Sequence, residues 1–173
     1  MTKPNVPKAP EGYQTVNSFI ITKDAENVLQ FLRKVFHAKE LVDARTVDTD
    51  GLILHSEVII GDSIVMVADR KADWPYTPSL LRVYVENMEE TLREAQHLGA
   101  KIVTNPTDFY GDTLSRIQDK WGNVWWIYEH QEQEVSWEAS EDSDESWDFE
   151  PSEELTYIHD SLLTTMRNLK AEE

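Results

Sequence analysis

The chain contains no cysteine. That excludes disulfides, thiolate metal sites and cysteine nucleophiles, and it is compatible with a reducing compartment. No apolar run reaches membrane-spanning length, so no membrane partner is expected. The N-terminal MTKPNVPKAPEGY lacks the apolar stretch of a secretory signal, which makes a cytoplasmic protein the expectation. Basic residues are scarce, 16 Lys and Arg against 33 Asp and Glu. Nucleic acid is therefore not expected as a partner, because phosphate binding needs clustered cations. No glycine-rich phosphate loop, nucleophile elbow or HExxH run is present.

The negative charge is unevenly placed. Residues 132–173 hold 14 acidic and two basic residues, a net −12 of the chain's −17. The first 131 residues are only mildly acidic. The body reads as an ordinary globule and the tail as a solvated appendage.

Aromatic residues are concentrated in one place. Tyr110 to His130 holds three of the six tryptophans, Trp121, Trp125 and Trp126. It reads as two strands, Leu114 to Asp119 and Val124 to Tyr128, joined by a turn at Lys120 to Asn123. Successive strand side chains point to opposite faces, so Trp125 and Trp126 serve different surfaces.

Upstream, residues 1–13 read as a proline-spaced leader. Gln14 to Thr22 reads as a strand, and Asp24 as the cap of a helix carrying Val28, Leu32, Val35 and Phe36. Strands follow at Lys39 to Val47, Leu52 to Ile60 and Ser63 to Ala68, with a hairpin turn at Gly61-Asp62. After a linker at 70–79 the order restarts. Leu80 to Val85 is a strand, and Asn87 caps a helix with Met88, Leu92, Ala95 and Leu98 on one side. Gly99 is a left-handed stop, and three strands complete the copy. IGDSIVMVAD (60–69) answers WGNVWWIYEH (121–130). Three landmarks in register mark an internal duplication. The expected fold is α+β, with one βαβββ module at 14–69 and a second at 80–130, their curled mixed sheets enclosing a cavity.

That arrangement resembles the vicinal oxygen chelate superfamily of glyoxalases, bleomycin-resistance proteins and extradiol dioxygenases, and within it the PhnB-like branch. Gly12-Tyr13, FLRKVFHA (31–38), His55-Ser56-Glu57 before Ile60-Gly61-Asp62, PTDFYGD (106–112) and Asp119 to Trp126 carry the resemblance. His37 stands where the branch usually has glycine, and Thr113 where arginine commonly follows. The resemblance implies a divalent metal held by four side chains, placed here at Asn17, Val65, Leu80 and Trp126, or at Ser18, Met66, Leu81 and Trp125 if the alignment slips by one. Neither set contains a histidine or carboxylate, so no metal and no other cofactor is predicted.

By the same alignment Asn17, Phe19, Ile21, Val65, Val67, Leu80, Arg82, Tyr84, Trp126 and Tyr128 face the cavity. Ile20, Ile64, Met66, Val83, Val85, Trp125 and Ile127 pack under the helices. The candidate ligand-binding residues are Asn17, Phe19, His55, Glu57, Arg82, Tyr84, Tyr110 and Trp126. His55 and Glu57 share a strand face and are the candidate catalytic pair, with a polar couple at a sheet edge as the plainer reading. Arg82 requires an acidic partner if buried, for which Glu57 or an anionic ligand would serve.

Residues 131–151 form an acidic linker. Residues 152–171 read as an amphipathic helix capped by Ser152, with Leu155, Ile158, Leu162, Met166 and Leu169 on one face. That face needs cover from the body, a second copy in a homodimer, or a protein partner for 132–171. The composite expectation is a dimeric protein that binds or sequesters a small organic molecule. A lyase, isomerase or dioxygenase with ligands relocated to His55 and Glu57, or a protein-interaction module acting through the tail, are the alternatives.

Overall fold

The computed structural model describes residues 7–131 and 151–169. Most of the leader's first half and nearly all of the acidic linker, with Trp137, Trp147 and Phe149, lie outside the described residues. The described chain divides into two compact units. One takes the residues up to Ser79 together with Trp121–Asn123. The other takes Leu80–Lys120 and the residues from Val124 through the C-terminal helix.

The first unit holds β1 (Ser18–Thr22), α1 (Ala25–Val35), β2 (Lys39–Glu40), β3 (Thr46–Val47), β4 (Ile53–Ile60) and β5 (Ser63–Asp69). The sheet runs β1-β5-β4-β2, with β3 also on β4. β1 pairs parallel with β5, and β4 antiparallel with it. Residues 14–17, expected to begin the first strand, instead form a turn closed by the Asn17 amide on the Gln14 backbone. The single strand expected over 39–47 is broken by a 3₁₀ turn at Val42–Ala44. Arg45, just past that turn, reaches back to Glu40 and Glu26 at 2.6 and 2.7 Å and ties it to α1.

α1 buries Val28, Leu29 and Leu32 completely. Each such side chain contributes about 1.5–3 kcal/mol relative to exposure. The expected cap, Asp24, sits in the left-handed region at φ 70° and makes no capping bond. Its job falls to Asp69 at the end of β5. One Asp69 oxygen accepts the Ala25 N–H and the other the Ile53 N–H, both at 2.8 Å. A carboxylate is favoured at that helix end by the orphan N–H groups and the dipole.

The second unit holds β6 (Leu80–Tyr84), α2 (Met88–His97), β7 (Lys101–Phe109), β8 (Asp112–Gln118), β9 (Val124–His130) and α3 (Glu153–Asn168). Its sheet runs β6-β9-β8-β7, with β6 and β9 parallel. Asn87 caps α2 through Glu90 N–H, as expected, and Gly99 stops it at φ 92°. Glu129 of β9 accepts the Met88 N–H, repeating the Asp69 device. β7 carries Pro106 on the sheet's edge, where a missing N–H costs no ladder bond.

Strand register settles which way each face looks. Phe19, Met66 and Glu57 are directly paired and share a face, as do Ile20, Val67 and Ser56. The second row is fully buried and belongs to the α1 side, with Asp69. Val65 and Val67 are thus under the helix and Met66 is on the open face, the reverse of the expectation for β5. In the second unit the expected parity holds. Trp125 (1% exposed) and Ile127 lie on the α2 side with Glu129, and Trp126 and Tyr128 lie opposite. The two modules share one strand order around their helices, but the register within β5 and β9 is one residue off the glycine-to-glycine match: Asp69 answers Glu129, not His130.

Candidate functional site

Each module presents one sheet face away from its helix, and the chemistry-bearing side chains lie there. In the first unit the open face carries Phe19, 45% exposed, with its ring edge-on to His55 at 6.0 Å. His55 Nε2 lies 3.0 Å from Glu57 Oε1, and Tyr13 donates to the other Glu57 oxygen at 2.5 Å. A carboxylate only accepts, so both partners donate to it. The Tyr13 hydroxyl, and then His55, hold the Glu57 carboxyl below the usual carboxylate range, against a burial effect that pushes upward. The same bond raises the Tyr13 phenol. His55 and Glu57 therefore meet as expected, and Tyr13 joins them. Its contribution is not visible in the sequence, because a leader residue 44 positions away has no periodic signal pointing at β4. Asn17 has a structural task, the turn at Gln14.

In the second unit the corresponding row is Arg82, Trp126 and Arg116, paired across β6, β9 and β8. The next row is Tyr84, Tyr128 and Leu114. Arg82 stacks over Tyr128 at 3.9 Å and donates to the Tyr84 hydroxyl at 2.7 Å. Arg116 stacks over Trp126, also at 3.9 Å. Burial lowers the Arg116 pKa and raises that of Tyr128. Arg82, Tyr84 and Trp126 are thus brought together as expected. Tyr110 is not among them. It is 78% exposed on the β7–β8 turn at φ 48°, packed on Phe109. Arg116 was missed, although the hairpin register that pairs it with Trp126 follows from the turn once the strands are placed.

α3 covers this face. Ile158 packs against Leu114 and Tyr128, with Phe109 and Trp126 at the margin. The Tyr157 hydroxyl accepts the Asn105 N–H of edge strand β7 at 2.9 Å, and Ser161 meets Thr104 at 2.7 Å. Part of the tail helix's apolar face is thus covered by its own body.

The positions at which the resemblance places metal ligands hold Asn17, Leu80, Trp126 and, with the β5 register corrected, Met66. Among the described residues there is no group of three or more His, Asp or Glu able to hold a metal ion. The residues present do not fit the superfamily's metal centre.

Two βαβββ modules, each with a helix on one side of a mixed sheet, define a glyoxalase-like α+β protein. The family model "Glyoxalase/Bleomycin resistance protein/Dioxygenase superfamily" matches residues 14–127, and the chain belongs to that superfamily. No curated protein matches the sequence. Similar solved structures include TioX from Micromonospora sp. ML1, 22% identical with TM-score 0.53, covering 67% of this chain and 95% of that one. The PhnB protein from Bacillus cereus, described as a putative 3-demethylubiquinone-9 3-methyltransferase, is 18% identical with TM-score 0.52, covering 67% and 99%. The fosfomycin resistance protein FosX from Listeria monocytogenes is 12% identical with TM-score 0.53, covering 68% and 93%. At these identities the likeness is one of fold.

Proposed function

We propose that this protein binds and sequesters a small organic molecule against the aromatic open face of a module, without the superfamily's metal centre. The observation that carries the reading is Trp126. A bulky indole, flanked by two arginines and followed by Tyr128, stands where metal-holding relatives have a ligand. Aromatic walls with a few polar heads are the makeup of small-molecule sites. An indole has no lone pair to offer a metal. The test is metal analysis of the purified chain, followed by titration with a panel of small aromatic compounds. The expected result is no stoichiometric metal and saturable binding that Trp126→Ala abolishes. One tightly held divalent ion per chain sinks the reading.

A second reading rests on a separate observation, the hydrogen-bonded chain Tyr13–Glu57–His55 on the first unit's open face. Glu57 orients the imidazole beside Phe19, an arrangement suited to proton transfer on a bound substrate. Turnover of any panel compound that His55→Gln abolishes, with binding retained, would favour it.

A further inference from the structure

We infer that the sheet face beneath α3 is a binding site for a small organic carboxylate, and that α3 competes with this ligand for the site. The inference rests on the small-molecule reading and names the ligand's class.

Two donors on this face lack acceptors. Arg116 is 2% exposed, and both of its hydrogen bonds leave from Nη1: one to Thr104 Oγ1 at 3.2 Å, one to the Ile158 carbonyl at 2.6 Å. Its Nε has no partner, and neither does Trp126 Nε1. Buried donors are nearly always satisfied in folded proteins, so two neighbouring exceptions identify a missing acceptor. They are neighbours, because the Arg116 guanidinium carbon lies 3.9 Å from the Trp126 ring centroid.

The missing acceptor is anionic. Arg82 lies on the other side of Trp126 in the same row. Among the described residues of this unit neither arginine has a carboxylate partner, in a chain with 33 acidic residues. A buried guanidinium without a counter-charge is costly. The Nε edge of arginine presents two parallel N–H groups, the geometry that matches a carboxylate. Trp126 and Tyr128 supply a flat apolar wall for the rest of the molecule.

α3 occupies this place without completing it. Its Ile158 carbonyl gives Arg116 one neutral acceptor, and its Ile158 side chain fills the space over Leu114 and Tyr128. Ile158 is also the one residue of α3 that is buried, with Leu155, Leu162 and Leu163 only partly covered. A ligand supplying a full negative charge and a flat ring satisfies the same groups more completely.

The test uses the full chain with benzoate and its neutral twin benzamide, read by calorimetry and by the Trp126 indole N–H resonance, assigned with Trp126→Phe. Benzoate is expected to bind about tenfold or more tightly than benzamide, as a charge-assisted bond to a buried arginine requires. Arg116→Met should erase that preference. Ile158→Ala should tighten benzoate binding severalfold, because a freer helix enlarges the competent fraction. Should Arg116→Met fail to fold, Arg82→Met, at an exposed position of the same row, replaces it, with a severalfold loss for benzoate and none for benzamide. Equal affinity for the two compounds, no benzoate binding to wild type and Ile158→Ala alike, or an unmoved Trp126 signal overturns the anion site. Unchanged affinity in Ile158→Ala overturns the competition. Neutral aromatics that bind while benzoate gains nothing would leave the broader small-molecule reading standing.

Discussion

Glu57 and Arg116 hold the same place in the two copies of the module. Each lies on β4 or its counterpart β8, on the face away from the module's helix. Each pairs through the central strand, Met66 or Trp126, with Phe19 or Arg82 at the far side. One copy thus puts a carboxylate there and satisfies it with Tyr13 and His55. The other puts a guanidinium there and leaves its Nε without a partner. Counterpart positions of the two open faces thus carry opposite charge.

The Glu57 carboxylate should make stability depend on pH. Its folded pKa is depressed, chiefly by the Tyr13 hydroxyl. The contribution is therefore complete above the unfolded carboxylate value and is lost as pH falls through the depressed folded value. Tyr13→Phe removes the main donor to the ionised form, so the Glu57 pKa should rise, and the acid loss should become smaller and be complete at a higher pH. A carboxyl-carbon titration by NMR checks the direction. A Glu57 pKa unmoved by Tyr13→Phe refutes the assignment.

Asp69 and Glu129 should differ in value although they are counterparts. Asp69 is buried and serves two backbone N–H groups, Ala25 and Ile53, whereas Glu129 is half-buried and serves Met88. Losing a cap costs about 1 kcal/mol, and orphaning a further buried N–H costs roughly 1–3 kcal/mol more. Urea unfolding should therefore rank Asp69→Ala about 2–4 kcal/mol below wild type and Glu129→Ala about 1 kcal/mol below.

The same pair shows where sequence reading stopped. The element order was legible because the β-branched runs, the Asn87 cap and the turn glycines are local signals. The β5 register was not. Ser63 to Ala68 is apolar almost throughout, so it carries no alternation from which to read a face. Matching Gly61 to Gly122 then treats a two-residue turn and a longer loop as equal, and shifts every later side chain to the wrong side. Asp24 misled for a related reason. A good capping residue precedes α1, but Asp69, reachable only through the fold, already takes the Ala25 N–H. Site residues on a single strand, such as His55 with Glu57 on β4, were legible from spacing. Tyr13, and the seat of Ile158 over Leu114, depend on tertiary docking that no spacing encodes.

Two positions at positive φ, Gly122 and His37, should respond oppositely to substitution. Gly122 stands at φ 90°, and a β-carbon there would fall 1.7 Å from the Tyr76 hydroxyl. Gly122→Ala combines left-handed strain of about 1–2 kcal/mol with that collision, and should destabilise by more than the strain alone. His37 is exposed at φ 53° after α1, where glycine is at ease. His37→Gly relieves similar strain but adds about 0.5–1 kcal/mol of unfolded-state freedom, so a net gain of about 0–1.5 kcal/mol is expected. Thermal unfolding of both variants gives the comparison, and a loss in His37→Gly would contradict it.

The docking of α3 can be separated from the stability of the sheet beneath it. Tyr157 touches the sheet through its hydroxyl, which accepts from both the N–H and the side-chain amide of Asn105. β7 is an edge strand, so water can replace that acceptor when it is removed. Tyr157→Phe should then cost only about 0.5–1.5 kcal/mol, the net worth of an ordinary hydrogen bond. Ile158→Ala removes a buried branched side chain from Leu114 and Tyr128, and a truncation of that kind costs about 2–5 kcal/mol where the site cannot collapse. Much of that cost should appear as helix release rather than unfolding of the domain, since Leu114 and Tyr128 keep their ladder partners. Hydrogen exchange distinguishes the two. In Ile158→Ala, amides of α3 and of Asn105 should exchange faster while those of β8 and β9 keep their protection. Equal acceleration across β8 and β9 would mean that α3 is an integral part of the second module's core rather than a cover laid over its face.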